Sequence, residues 1–320
     1  MSRLSRVFLL AWVGFVSLRA EEVTLRVGYF PNLTHAQGVI GAETTREGKG
    51  WFEQRLGPGV RVEWYPFNAG PSAMEAIFAG SIDLTYVGPN PALNAYIRSH
   101  GEEIRILAGA AEGGAALVVR AADHIVKPED FRGKRIATPQ LGGTQDIATR
   151  AWLKKQGFTE TMTGGDVAVL PTANPDQLGL FQRGQINAAW TVEPWVSRLI
   201  LEAGGQIYLE QTDTVTTILV TSVKFLKNHP DLAAKFRAAH SELTTWIQTH
   251  TPQAQDLVQA GLSAETRHPF PATLVRAGWK RLHFTDQLAK GQFDLLIADA
   301  QSVGFLRNAI AVDRLFSGQP

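Results

Sequence analysis

A short phrase occurs twice in this chain and limits its fold more than any other feature. The first copy is Ala79-Gly80-Ser81-Ile82-Asp83-Leu84-Thr85-Tyr86-Val87-Gly88-Pro89-Asn90. The second is Arg183-Gly184-Gln185-Ile186-Asn187-Ala188-Ala189-Trp190-Thr191-Val192-Glu193-Pro194-Trp195. In each, a glycine precedes a short apolar run, an Asp or Asn stands just inside it, and an aromatic near its end leads to a proline. The second copy has one extra residue before the proline. Glycine adopts the left-handed conformation that closes a helix, the run reads as a buried strand, and proline opens the next helix. Two such units predict two similar α/β lobes. A cleft between lobes is where small ligands bind.

Hydrophobic residues make up 44% of the chain and charged residues 19%, which predicts a globular fold over disorder. Arg3 and Arg6, an uncharged stretch from Val7 to Leu18, and Ala20 before Glu21-Glu22 read as a cleavable signal peptide over residues 1–20. The apolar run is short for a membrane span. Without Arg3, Arg6 and Arg19, 28 basic residues face 30 acidic ones, so no basic bias points to nucleic acid or an anionic membrane. The absence of cysteine excludes disulfides, thiolate metal sites, a Cys nucleophile and a lipoprotein anchor. A secreted, cysteine-free chain fits a Gram-negative periplasm.

Alternation at Val23, Leu25, Val27 and Tyr29 predicts a first strand. Strands follow at 60–64, 82–87 and 104–108, with helical segments between them, which argues for a largely parallel sheet. The small-residue run Gly109–Ala116 reads as a flexible crossover into a strand at 117–119. Further strands are expected near 135–137, 167–170 and 186–190, with helices at 144–155, 175–182 and 194–202. A strand over 216–221 should return to the first lobe. Residues 230–249 have helical apolar spacing, and helices are expected at 252–262, 271–282 and 287–296. These C-terminal helices are read as cladding for the first lobe. The expected division is residues 21–112 and 220–320 in the first lobe and 113–219 in the second.

The eight histidines are scattered without ligand spacing, so no metal is expected. No nucleophile-elbow, dinucleotide or phosphate-loop motif is present, and no cofactor is expected. Four turns do run from strand ends into helices, at 31–35, 88–91, 141–145 and 192–195. The first N–H groups of a helix lack partners and its dipole is positive there, so such turns can hold an anion without a basic side chain. Gly142 and Gly143 allow close backbone approach, while Thr144, Gln145, Asn32, Thr34 and Asn90 add polar side chains. Leu141 belongs to the same second-lobe turn. Trp190 is a candidate pocket aromatic. Glu112 and Glu193 are candidate partners for an ammonium group, with structural pairing as the competing role.

Taken together, Val27-Gly28-Tyr29-Phe30-Pro31-Asn32-Leu33-Thr34-His35, Asp83 to Pro89, Gly133 to Pro139, Gly142 to Asp146, and Ala189-Trp190 through Glu193-Pro194-Trp195 resemble the substrate-binding proteins of ABC importers for aliphatic sulfonates, taurine and nitrate. The resemblance implies a bilobal type II periplasmic-binding-protein fold, two doubly wound α/β lobes joined by two crossing strands. It implies a monomer that captures a small anionic solute and delivers it to a permease with a separate ATPase. Its ligand positions fall here on Asn32, Leu33, Thr34, His35, Gly88, Pro89 and Asn90, then on Gly142 to Gln145 and around Trp190 and Glu193. Glu112 stands where many relatives have a small polar residue, and Val192 where an aromatic is common. The same fold also implies alternatives: a thiamine-precursor pyrimidine as ligand, an enzyme on this scaffold, or a sensor subunit.

Overall fold

The computed structural model describes residues 22–161, 164–307 and 311–318. The expected signal segment lies outside them. The first half runs β1 (Val23–Tyr29), α1 (Ala36–Arg46), α2 (Trp51–Leu56), β2 (Val60–Pro66), α3 (Gly70–Phe78), β3 (Leu84–Val87), α4 (Pro89–Arg98) and β4 (Ile104–Gly113). The second half runs β5 (Ala115–Arg120), β6 (Arg135–Thr138), α5 (Thr144–Lys155), a small hairpin of β7 (Glu160–Thr161) and β8 (Gly164–Gly165), β9 (Ala168–Pro171), α6 (Asn174–Gln182), β10 (Ala188–Val192), α7 (Trp195–Ala203) and β11 (Gly205–Gln211). The chain ends with β12 (Val215–Ser222), α8 (Val223–Asn228), α9 (Pro230–Thr249), α10 (Thr251–Thr266), α11 (Ala272–Trp279), β13 (Leu282–Phe284) and α12 (Gln292–Ser302).

Two sheets organise these elements, in the orders β13-β4-β12-β3-β1-β2 and β11-β5-β10-β6-β9. Parallel pairs lie at β1 with β2 and β3, and at β6 with β9 and β10. The first sheet has one apolar cluster on each face. Phe52 stacks on Phe236 at 4.3 Å in one, while Ile82, Val87 and Tyr96 lie in the other. The second sheet is covered likewise, by clusters around Phe131 and around Phe181. Both sheets are therefore buried on both sides, as a βαβ crossover topology requires.

The repeated phrase builds the matching part of each lobe. Gly80 and Gly184 take positive φ after α3 and α6, and the buried strands β3 and β10 follow. The chain crosses to the second sheet at Gly113-Gly114 and returns between Gln211 and Val215, where Gly113 N–H donates to the Thr214 carbonyl at 3.0 Å. Both crossing glycines have positive φ. A β-carbon on Gly113 would stand 2.4 Å from the Arg281 carbonyl oxygen, so another backbone fills the space a side chain would need.

Several expectations change. Residues 109–113 are buried β4, not a flexible run. Gly109 is small because a β-carbon there would meet the Gln287 carbonyl oxygen at 2.4 Å. The division drawn at 219/220 cuts the strand expected to return to the first lobe, which runs Val215–Ser222 and lies wholly in the first sheet. The segment α2, the edge strand β11 and the short helix α8 carried no clear periodic signal. Beyond α10, the expected helix at 271–282 ends at Trp279 and gives way to β13, and the last helix lies later than 287–296. The C-terminal helices do more than clad the first lobe. From α12, Asp299 pairs with Lys155 of α5 at 2.7 Å, and just after α11 Arg281 reaches Glu193.

One buried polar tie fixes α9 to the first sheet. The His240 ring lies between the Tyr86 hydroxyl (3.0 Å) and the Gly109 carbonyl (2.8 Å). A carbonyl only accepts, so Nε2 carries the proton and Nδ1 accepts from Tyr86. Burial holds the ring neutral, with its pKa lowered to about 4. The unfolded ring titrates near ~6.5. Between those values the unfolded chain binds a proton that the folded one refuses, so stability present above ~6.5 falls as pH drops, by up to roughly 1.4 kcal/mol per pH unit. Urea unfolding over that window should show this decline, and His240→Gln should make it shallower. An unaltered slope in the variant would contradict the assignment.

Candidate functional site

Several helices of both halves begin at one place. Residues at the starts of α3 (Asn68, Ala69, Gly70), α4 (Gly88, Pro91), α5 (Gly143, Thr144, Gln145) and α6 (Asn174) line a single cavity between the sheets. The turn into α1 adds Asn32, Thr34 and His35, and Val192 ends β10 against it. Each of the four turns singled out in the sequence thus contributes at least one residue. About 40 Å³ is open to the centre of a water molecule. That is room for roughly three waters or a compact solute.

At these helix starts no side chain claims the first N–H groups; Pro71, Pro89, Pro91 and Pro175 carry none, and Asp176 N–H goes to the Ala173 carbonyl at 2.9 Å. Their N-cap residues are Gly143 in α5, Gly88 in α4, Ala69 in α3 and Ala173 in α6, and none makes a side-chain cap bond. By contrast α8, away from the cavity, is capped by Ser222, whose hydroxyl accepts from Phe225 N–H at 3.1 Å. Ser, Thr, Asp and Asn are the residues that usually satisfy these donors. Helix α5 offers most. Its first bond inside the helix joins Ile147 N–H to the Gly143 carbonyl, so the N–H groups of Thr144, Gln145 and Asp146 have no partner within it. Thr144 stands inside the helix and is not its cap, and its buried hydroxyl has no hydrogen-bond partner.

The loop before α5 is fixed from behind. Buried Asp146 accepts from the Thr138 hydroxyl and from Gly142 N–H, both at 3.0 Å, and pairs with buried Arg150 at 3.1 Å. Gly142 takes positive φ to make that bond and packs near Phe305, outside the cavity wall.

Electrostatically the wall is neutral. None of its residues is Asp, Glu, Lys or Arg. His35 lines it, stacked on Phe30 at 4.2 Å, and burial lowers its pKa to about 3. Among the described residues no group of three potential ligands is placed to hold a metal ion.

The halves are drawn together around the cavity. Trp195 Nε1 donates to Asn32 Oδ1 at 3.0 Å, and Leu33 N–H donates to the Glu193 carbonyl at 3.1 Å. Gly88 faces Thr144 so closely that a β-carbon there would lie 2.5 Å from Thr144 Oγ1.

Of the residues singled out in the sequence, Asn32, Thr34, His35, Gly88, Gly143, Thr144 and Gln145 meet at this cavity. The others lie elsewhere. Leu33 is part of the first-sheet core, Pro89 is buried in the first turn of α4, and Leu141 points to solvent. Asn90 lines a neighbouring cavity of about 250 Å³, which shares Thr144 with the first. Trp190 is core, edge-on to Trp152, with its indole N–H given to Gln211 Oε1 at 3.1 Å. Glu112 is engaged by His283 and by Gln292 (2.6 Å), beyond the cavity wall. Glu193 is wholly buried, bound by Ser197 N–H, the Ser197 hydroxyl and Arg281. Burial raises its pKa against those bonds. Neither acid faces the cavity. The sequence reading missed Asn68 and Asn174, although each stands beside a helix start marked by a proline, Pro71 and Pro175.

Comparisons with known proteins agree with this architecture. The NMT1-like family model matches residues 19–262, and the chain belongs to that family. The taurine-binding periplasmic protein of Escherichia coli is 28% identical over 238 residues, which span 72% of this chain and 69% of that protein. The solved alkanesulfonate-binding protein SsuA from Xanthomonas axonopodis pv. citri, bound to MOPS, superposes with a TM-score of 0.71 at 20% identity, over 94% of this chain and 99% of that one. The periplasmic nitrate-binding protein NrtA from Synechocystis PCC 6803 superposes with a TM-score of 0.73 at 15% identity, over 94% and 88%. The fold is the bilobal periplasmic-binding-protein fold of type II.

Arg281 stands between Glu193 (3.2 Å) and Glu210 (3.1 Å). Removing one partner of a buried pair leaves the other charge stranded, at a cost of about 3 kcal/mol. Arg281→Ala should lower the urea stability by that order, and adding Glu193→Gln should recover most of the loss. A double variant no more stable than Arg281→Ala would refute the coupling.

Proposed function

We propose that this member of the NMT1-like family is the extracytoplasmic solute-binding component of an ABC importer. Its solute is a small sulfonate-type oxyanion, taurine or another aliphatic sulfonate. The two lobes close on the anion and present it to an inner-membrane permease with its ATPase. The periplasm is the compartment where this happens, and residues 1–20 direct export.

The carrying observation is the neutral, donor-lined cavity between the sheets. An anion held by peptide N–H groups at a helix start needs no counter-charge, because the unpaired donors and the helix dipole supply the positive potential. At the α5 start the N–H groups of Thr144, Gln145 and Asp146 have no partner within the helix, and Thr144 and Gln145 line the cavity. The likeness to a taurine-binding and an alkanesulfonate-binding protein favours the same solute class. The wall has one imidazole and no carboxylate to work with it, a poor arrangement for acid–base catalysis. That favours a carrier over an enzyme.

Nitrate is the second reading, and the compact head cavity has room for it. The neighbouring cavity weighs towards a sulfonate. Ile147, Ala148, Val215, Leu295 and Leu296 give it apolar wall beyond Thr144, beside the carboxylates Asp213 and Asp299. An aliphatic tail has a use for that space, and nitrate has none.

A thermal-shift screen with taurine, ethanesulfonate, longer alkanesulfonates and nitrate tests the reading, since a solute that binds only the folded state raises Tm. Sulfonates should raise it more than nitrate. By calorimetry, Thr144→Ala and Asn32→Ala should each cost about 1.5–3 kcal/mol, one to two decades of affinity. Unchanged affinity in the double variant would refute the site.

A further inference from the structure

The second cavity, of about 250 Å³, is bounded by helices of both lobes. From α5 of the second lobe come Thr144, Ile147 and Ala148, spaced so that they share one helix face. From α12 of the first lobe come Gln292, Leu295, Leu296 and Asp299, again a single face. Thr144 belongs to both cavities, so the second continues along α5 from the helix start assigned to the anion. Asn90 lines it between Gly88 and Pro91, which line the first. Neither atom of the buried Asn90 carboxamide has a hydrogen-bond partner, and neither does the Thr144 hydroxyl. Buried polar atoms left unpaired are costly, so a ligand oxygen at this junction has groups to satisfy. Further along α5 the wall turns apolar.

Helix α12 is tied down at both ends. Its first residue, Gln292, donates from Nε2 to Glu112 at 2.6 Å, beside the Gly113 crossing. Phe293 and Ala300 anchor it in the first-lobe core. Its far end is held by the second lobe. Lys155 pairs with Asp299 at 2.7 Å, and Lys154 donates to the Ser302 carbonyl at 2.5 Å. Cations suit a helix C-terminus, where carbonyls lack partners and the dipole is negative. These ties are exposed, and exposed ion pairs are weak and screened by salt. They can form as the lobes close and release as they open. Leu295, in the cavity wall, is 73% exposed, so its apolar side chain stands at the rim. Asp213 and Asp299 are the charges in this wall, and no Lys or Arg lines it.

We infer that α12 is a strap that sets tail selectivity, an inference that rests on the sulfonate reading. Leu295 and Leu296 are its specificity-determining residues. They cover the alkyl chain of a solute whose sulfonate sits at the α5 start, and Lys154 and Lys155 hold the strap over it. The solute class this favours is an alkanesulfonate with an uncharged chain longer than that of taurine. A chain ending in a second anion meets two carboxylates and no counter-charge. Helix α12 begins beyond residue 262, where the family match ends, so these wall residues are not part of the pattern that defines the family.

The test compares ethanesulfonate with pentanesulfonate by calorimetry. The longer chain should bind roughly tenfold or more tightly, because its extra methylenes are buried. Leu295→Gln, at an exposed position, should cut that ratio severalfold and leave ethanesulfonate affinity within about twofold. Replacing Lys154 and Lys155 together by alanine should also lower the ratio, with pentanesulfonate dissociating faster. Replacing both by arginine keeps the donors and should preserve it. Ethanesulfonate binding without preference for the longer chain would overturn the inference and leave the sulfonate reading standing. So would a preference that Leu295→Gln and the alanine pair both leave intact. If no sulfonate binds, the sulfonate reading fails and the inference falls with it.

Discussion

A helix begins with more N–H groups than it can use, and in a protein interior an unused donor is costly. The architecture of this chain gathers that surplus in one place. Four helix starts from two sheets line a single cavity, and each has glycine or alanine where a capping side chain would otherwise stand. The cleft is therefore lined by main-chain donors that no side chain caps, those of α5 above all. On the proposed function, a preference for an anion follows from main-chain geometry, and side chains refine it.

Full charges are kept behind the wall. Asp146 and Arg150 neutralise one another while holding the loop that enters α5. Glu193 is fully buried but belongs to the seam between the lobes, where Arg281 and Ser197 meet it. Such pairs are expensive to desolvate and contribute little net stability, but they fix geometry by making every alternative worse. Inside the cavity a fixed charge would dominate the weaker dipoles. Keeping charges outside lets the donors at the helix starts and the neutral polar side chains determine what fits.

Much of this was legible in the sequence, because it depends on local backbone chemistry. The Gly–strand–Pro phrase marks β3 and β10. The helix at 144–155 and the helix at 230–249 were read at the residues where they occur, since Gly142-Gly143 and Pro230 mark their starts and the second keeps its apolar period. The four turns that meet at the cavity were visible as strand ends running into helix starts. What failed was any inference needing burial. Gly109–Gly113 has the composition of a loop, but glycine and alanine there mark backbone pressed against backbone. Trp190, Glu112 and Glu193 have residue types suited to a pocket, and their partners lie far along the chain, in Gln211, Gln292 and Arg281. The sense in which Asn32 presents its amide depends on Trp195, and only the folded chain brings them together.

The central claim is that an oxyanion is held by main-chain N–H groups at the start of α5, between the two sheets. Backbone amide NMR during titration with ethanesulfonate tests it most directly. The account predicts saturable downfield shifts of the Thr144, Gln145 and Asp146 amide protons, the largest in the spectrum. Saturable shifts centred instead on the outer groove near Pro66, His268 and Phe270, with those three amides unmoved, would contradict it.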